Sequence, residues 1–182
     1  MKTQLLFIIC GLLIPSLDLM AQHNGEQPAG ALHEEESDPF KVALTFGYTH
    51  IPAGVGSEEG EAVFVPTIGL DLFYSLNHKW SLGLVADLEM SEYIVDFGRE
   101  ELNREKAFIL ALLAGYEVLP RWKLLTGAGI ELEKNKNLMV VRFGTEYDFP
   151  LGKGWSMAPS TFFDFKEEYS TWALSVSIGK TF

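Results

Sequence analysis

From Phe40 onward the chain alternates between large apolar side chains and small or polar ones. A period of two is the signature of a β-strand whose two faces meet different surroundings. The clearest case is the final segment, Tyr169 to Phe182, where one parity is aliphatic or aromatic and the other is small and hydroxylic. The apolar parity of this C-terminal strand consists of Trp172, Leu174, Val176, Ile178 and Phe182.

The same alternation divides the preceding chain into seven further strands. They are predicted at about residues 40–50, 63–75, 79–91, 107–118, 121–133, 137–148 and 154–165. The connections alternate in length, with short ones at 75–79, 119–120 and 149–154, and the other set at 51–62, 92–106, 134–136 and 166–170. This arrangement predicts an all-β, eight-stranded antiparallel up-and-down transmembrane β-barrel, with both termini at the short-turn end.

The three short turns share one sequence pattern. Each begins with a Tyr that closes a strand and ends with a Trp that opens the next, and a basic residue lies one or two places before the Trp. Tyr and Trp combine an apolar body with a polar group, so they suit a membrane–water interface. The predicted interfacial aromatic belt consists of Tyr74, Trp80, Tyr116, Trp122, Tyr147 and Trp155. The remaining tryptophan, Trp172, could belong to the opposite belt.

Residues 1–21 have the features of a secretory signal peptide. Lys2 is followed by an apolar core from Leu5 to Leu17 and a plausible cleavage site ending at Ala21. Residues 22–39 are polar and acidic, which predicts a flexible leader before the barrel domain at 40–182.

The one cysteine, Cys10, lies in the signal, so the mature chain can use neither disulfides nor thiol chemistry. No later stretch approaches the roughly eighteen consecutive apolar residues that a spanning helix requires. Loss of Lys2 and Asp18 with the signal leaves 24 acidic and 13 basic residues, still a net charge of −11. This charge argues against nucleic acid as a partner, and against binding anionic lipid headgroups through a basic patch.

Alternation alone does not decide which face points outward, because a soluble barrel keeps its apolar face inside and a membrane barrel inverts it. The signal peptide, the Tyr/Trp belt and the terminal Phe182 together favour the membrane. The pattern resembles the small eight-stranded outer-membrane proteins of the OmpA/OmpX type over nearly the whole mature chain, although Lys180 departs from the usual apolar residue at that position. A soluble periplasmic barrel is the alternative.

The resemblance implies an outer-membrane location in the envelope of a Gram-negative bacterium. The implied partners are membrane lipid, lipopolysaccharide and the outer-membrane assembly machinery; an extracellular partner is unknown.

An eight-stranded lumen has room for side chains but not for a wide aqueous channel. The inward parity of three adjacent strands therefore predicts a lumen ion-pair network with Arg142 as its central counter-ion. Its members are Glu117, Lys123, Glu131, Arg142 and Glu146. Such a network either satisfies buried charge or carries protons or small cations.

Known small barrels include lipid-A-modifying enzymes, which need a nucleophile system near the rim. The candidates here are His50, Ser57, Glu58 and Glu59, but their spacing enforces no Ser-His-acid set. No metal-binding spacing, phosphate loop or nucleotide motif occurs, so we expect no catalytic, cofactor or metal site.

The sequence therefore predicts a non-enzymatic outer-membrane barrel with a structural or surface-interaction role and a largely plugged polar lumen. A narrow porin-like transport or small-ligand-binding barrel is the first alternative, and a lipid-modifying outer-membrane enzyme is the second. The two long outer loops carry many carboxylates, and the second of them could extend the barrel wall or contact another molecule.

Overall fold

The computed structural model describes residues 39–51, 62–97 and 100–182. The predicted signal peptide and nearly all of the predicted leader lie outside the described residues. No helix among the residues described is long and apolar enough to cross a membrane.

Eight long strands and three short ones make up the described chain. The long strands are β1 (Phe40–Ile51), β2 (Val63–Ser75), β3 (Trp80–Glu89), β6 (Phe108–Leu119), β7 (Trp122–Leu132), β8 (Leu138–Tyr147), β10 (Trp155–Lys166) and β11 (Ser170–Thr181). The short strands are β4 (Glu92–Phe97), β5 (Glu100–Glu105) and β9 (Phe149–Gly152).

The long strands form a closed antiparallel barrel in which each pairs with its neighbours in sequence order. The first and last long strands close it, in a continuous register from Lys41 opposite Thr181 to His50 opposite Trp172. Closure leaves the barrel without a free edge, as a sheet in lipid requires. The predicted eight-stranded up-and-down barrel is thereby confirmed.

The connections differ from the prediction in two places. The second long loop contains β4 and β5, which pair with each other and form a hairpin separate from the barrel sheet. The predicted turn at 149–154 contains β9, which pairs with the start of β10, whereas β8 pairs with the rest of β10. The turn itself is confined to Lys153 and Gly154, both with positive φ. We call the end of the barrel with the tight turns, where β1 begins and β11 ends, the turn end, and the other the loop end.

The two faces of the wall have the polarity of a membrane barrel. Outward side chains are apolar and exposed, for example Leu112 at 62% and Tyr48 at 58%. Inward side chains include charged groups with almost no exposure, such as Arg142 at 3% and Glu131 at 0%. A soluble barrel would reverse this distribution, so the predicted assignment of the faces is confirmed.

Apolar packing fills part of the lumen between the charged groups. Rings from β2 and β10 lie over glycines of the adjoining strands, Phe73 over Gly83 and Phe162 over Gly144, and a methyl group at either glycine would overlap the ring. Phe73 belongs to a buried cluster with Val85, Ala111, Leu113 and Leu125, and Phe162 packs against it. Glycine thus makes room for aromatic rings inside a narrow barrel.

The outward wall predicts a depth-dependent cost of charge. We expect Leu112→Arg, in the middle of β6, to lower the free energy of unfolding by about 2–4 kcal/mol, because it places a cation near the bilayer midplane. Leu119→Arg, at the turn end of the same strand, is the matched control and should cost about 0–1 kcal/mol. Urea unfolding in phospholipid vesicles measures both; equal costs would contradict a lipid-facing wall.

Candidate functional site

Charged side chains cross the lumen in three layers, which we name the turn layer, the middle layer and the loop layer. The middle layer is centred on Arg142 of β8. Its Nε and one terminal nitrogen donate to the two oxygens of Asp164 on β10, each at 2.7 Å. The other terminal nitrogen donates to Asp87 on β3 at 2.5 Å. The guanidinium carbon also lies 5.1 Å from the centre of the Phe162 ring. One arginine therefore joins opposite walls of the barrel.

The loop layer is centred on Glu131 of β7, which has no exposed surface. Lys166 approaches Glu131 at 2.5 Å and Glu89 at 3.7 Å, so this lysine links β10 to both β7 and β3. Arg104 of the β4–β5 hairpin contacts Glu131 at 2.8 Å and Glu133 at 3.3 Å. The hairpin is thus fixed over the mouth of the lumen by a fully buried arginine.

Two tyrosines complete the loop layer. The Tyr169 hydroxyl donates to Glu131 at 2.9 Å, and the Tyr93 hydroxyl donates to Glu89. Their hydroxyl oxygens lie 3.1 Å apart. Burial raises the pKa of Tyr169 to about 12 even though the charge of Lys166 lowers it. Burial and the charge of Glu89 also raise the pKa of Tyr93. Both phenols therefore keep their hydrogens and act as donors at neutral pH.

The turn layer joins β1 to β7 and to the end of β8. Lys41 of β1 pairs with Asp148 at 2.8 Å, and Lys123 of β7 lies 3.4 Å from Asp148 and 3.6 Å from Glu146. Glu117 stands opposite Lys123 in the β6–β7 register. Burial raises the pKa of Asp148, but the charge and hydrogen bond of Lys41, with the charge of Lys123 and a hydrogen bond from Ser156, together outweigh it, and the net pKa of this carboxyl is lowered.

The five predicted network residues all lie inside the barrel but not in one group. Lys123 and Glu146 meet, with Glu117 adjacent in register. Arg142 pairs with Asp87 and Asp164 rather than with any of the predicted glutamates, and Glu131 belongs to the loop layer. This is a correction to the predicted partners. Its reason is position along the strands, because Arg142 lies opposite Gly127 in the β7–β8 register, whereas Glu146 lies opposite Lys123 and Glu131 lies opposite Leu138.

Eight charged residues of the layers were missed, namely Lys41, Asp87, Glu89, Arg104, Glu133, Asp148, Asp164 and Lys166. Six of them, all except Arg104 and Lys166, stood on the inward parity of predicted strands, so the alternation could have found them, although not their partners. Lys166 and Arg104 fell in predicted connections. No sequence signal places a loop arginine inside a barrel.

The space beside the middle layer is small. A cavity of about 20 Å³ lies beside the middle layer, lined in part by Thr45, Thr49, Asp71 and Arg142. That volume holds about one water molecule. Thr45 donates to Asp71 at 2.5 Å, and Thr49 and Thr67 share a hydrogen bond of 2.8 Å. Among the residues that the structure describes, no group of three or more His, Cys, Asp or Glu could hold a metal ion.

The predicted aromatic belt lies at the turn end, and its outward rings contact across neighbouring strands. Trp80 and Tyr116 are register partners with ring centres 4.8 Å apart, and Trp122 and Tyr147 are partners at 6.5 Å. The other two members, Tyr74 and Trp155, are exposed at the same end.

Trp172 lies at the loop end. It stacks on His50 at 4.8 Å, and Phe64 packs edge-on against both rings. The remaining apolar residues of the C-terminal strand face outward and are exposed, namely Leu174, Val176, Ile178 and Phe182. Of the predicted rim candidates, only His50 is placed; Ser57, Glu58 and Glu59 lie outside the described residues.

No protein-family model matches the chain, and no curated protein matches it. Several solved structures do match it. OprG, an outer membrane protein of Pseudomonas aeruginosa, matches with a TM-score of 0.53 and 13% identity over 80% of this chain and 97% of OprG. The chain has the fold of the small outer-membrane β-barrels.

Two further structures support this assignment. Ail, the attachment invasion locus protein of Yersinia pestis, matches with a TM-score of 0.51 and 10% identity over 80% of this chain and 99% of Ail. Neisserial surface protein A gives a TM-score of 0.51 and 10% identity over 79% of this chain and 97% of its own. At such identities the similarity shows the fold alone, and the fold agrees with the resemblance drawn from the sequence.

The middle layer predicts that removing one charge of its ion pairs costs much more stability than removing all of them. Arg142→Met leaves Asp87 and Asp164 buried without a counter-ion and should cost about 3–5 kcal/mol of unfolding free energy. The triple variant Arg142→Met, Asp87→Asn, Asp164→Asn should be more stable than the single variant, because no uncompensated charge remains. Urea unfolding in detergent micelles measures both. A cost for the single variant of about 1 kcal/mol or less, typical of exposed pairs, would count against the layer.

The turn layer predicts a loss of stability in acid. Because the folded pKa of Asp148 lies below its unfolded value of about 3.9, its contribution is complete above that pH and is lost as the pH falls through the folded pKa. Unfolding free energies measured from pH 6 down to pH 2 should therefore fall less steeply below about pH 4 in Asp148→Asn than in the wild type. Identical slopes would show that Asp148 does not contribute.

Proposed function

We propose that the chain is a non-enzymatic protein of the bacterial outer membrane, with a structural or surface-interaction role and a lumen closed to solutes. The observation that carries the closed lumen is the stack of three ion-paired layers, each joining non-adjacent strands across the barrel. The small cavity beside Arg142 agrees with this reading.

The location rests on several features together. The exposed apolar wall, the aromatic belt at the turn end and the fold support a membrane-inserted barrel. The N-terminal signal sequence supports export. In this orientation the turn end faces the periplasm and the loop end faces the outside.

The β4–β5 hairpin is the surface that we propose for interaction. Arg104 and Tyr93 anchor it to the loop layer, so it presents a fixed shape. Its exposed side chains include Glu92, Asn103 and Glu105, which make that surface polar and acidic. A hairpin held this firmly loses little conformational entropy when a partner binds it.

The non-enzymatic part of the proposal rests on His50. Its ring lies on the outward face between Trp172 and Phe64, where an aromatic group serves an interfacial belt. We therefore expect the lipid A mass spectrum to be unchanged when the protein is overexpressed. A new lipid A species that disappears in His50→Ala would overturn this part of the proposal.

Conductance in planar bilayers tests the closed lumen. Protein from the outer-membrane fraction is first checked on detergent gels, where unboiled and boiled samples should differ in mobility because the closed barrel resists detergent. We expect such folded protein to give no channel events. Ion flux that Arg142→Ala or Glu131→Gln abolishes would establish transport and overturn the closed lumen. Recovery in the soluble periplasmic fraction without a mobility shift would overturn the membrane location.

A further inference from the structure

Two groups of cations in the described chain differ in their contacts. Those inside the barrel or its mouth all contact carboxylates, namely Lys41, Arg104, Lys123, Arg142 and Lys166. Four others, at the turn end, contact no carboxylate of the described chain. They are Lys79, Arg121, Lys153 and Lys180, and we call them the turn-end cations.

The turn-end cations follow the aromatic belt around the wall. Lys79 and Arg121 directly precede Trp80 and Trp122, and Lys153 lies two residues before Trp155. Lys180 faces outward opposite Trp155, with its ammonium nitrogen 5.7 Å from the centre of that ring.

Lys180 is held in this position by a second ring and a hydrogen bond. Its ammonium lies 5.5 Å from the centre of the Phe182 ring and donates to the Lys153 carbonyl at 2.9 Å. A lysine on a lipid-facing wall lays its methylenes on apolar surface and extends its charge to the headgroups.

Two of these residues have an unusual backbone conformation. Arg121 has φ of 69° and Lys153 has φ of 54°. Positive φ favours glycine, asparagine or aspartate, which form such turns more easily. The neighbours Gly152 and Gly154 also have positive φ, so glycine is used freely in the same turn. Turn formation alone therefore does not require a basic residue at either position.

The acidic residues are distributed in the opposite way. The three tight turns contain one acidic residue, Asp148, and it points inward to Lys41 and Lys123. The loop-end connections, at residues 52–62, 90–107, 133–137 and 167–169, contain eleven acidic and five basic residues. The rim at the turn end is therefore basic, although the net charge of the chain is −11 and by itself argues against a basic lipid-binding patch.

We propose that the turn-end cations bind the phosphate groups of anionic phospholipids in the leaflet that surrounds the turn end. This inference rests on the proposed membrane insertion. The cations stand at the depth of the belt rings, where headgroup phosphates lie, and no carboxylate of the described chain competes for them. Each cation near an anionic surface adds to the attraction, and salt screens it. The site selects lipid by headgroup charge.

Tryptophan fluorescence tests the proposal, because three of the four tryptophans lie at the turn end. The full mature protein carrying Trp172→Phe is inserted into phosphatidylcholine vesicles that contain brominated phosphatidylglycerol or brominated phosphatidylcholine. We expect quenching to show a preference of roughly two- to five-fold for the anionic lipid. The preference should disappear in about 1 M salt, where the Debye length is about 3 Å.

A matched pair of double variants assigns the preference to the turn end. Arg121→Gln with Lys153→Gln should reduce it strongly. Lys106→Gln with Lys134→Gln removes the same charge at the loop end, and Lys106 also has positive φ, of 51°, so this control should keep the preference. A gel mobility shift shows whether each variant is folded.

Three results would overturn the inference. Equal quenching of folded, inserted protein by both lipids would overturn the inference and leave the proposed function intact. An equal loss of preference in the control variant would do the same. Protein that neither shifts on gels nor inserts would overturn the proposed function and the inference with it.

Discussion

Pairing between the first and last long strands is the constraint on which the rest of the structure depends. The register from Lys41–Thr181 to His50–Trp172 turns a curled sheet into a cylinder. An unpaired edge in lipid would leave a row of backbone groups without partners, each costing several kcal/mol. Closure also creates an interior separated from lipid and largely from water. Most of the charges that the alternation directs inward are paired there with opposite charges.

The ion pairs brace the barrel in a direction that the sheet cannot. Backbone hydrogen bonds connect only neighbouring strands, whereas Arg142 reaches from β8 to Asp87 on β3, and Lys166 reaches from β10 to Glu89 on β3. Buried pairs are weak evidence for stability, because desolvation offsets their attraction. Their effect here is on shape: they hold opposite walls at a fixed separation.

Sequence reasoning predicts the wall well and the contacts inside it poorly. A period of two assigns each side chain to a face, so the outward C-terminal strand and the inward position of Arg142 follow directly. The partner of Arg142 depends on strand tilt and stagger, which no local pattern encodes. The β4–β5 hairpin was not predicted because its segment is short and acidic. Strand β9 was not predicted because Pro150 is typical of a turn.

The contact of Arg104 limits what the second long loop can tolerate. Surface loops of barrels are attractive places to display a foreign epitope, since they are remote from the wall. In this chain, exchange of residues 92–105 would remove a buried cation that contacts both Glu131 and Glu133, and of the two only Glu131 would keep its contact with Lys166. The connection between β7 and β8, at residues 133–137, is shorter than the second long loop. It has exposed side chains, such as that of Lys134. A graft in the hairpin would therefore need to keep Arg104, so its sequence is tied to the interior of the barrel.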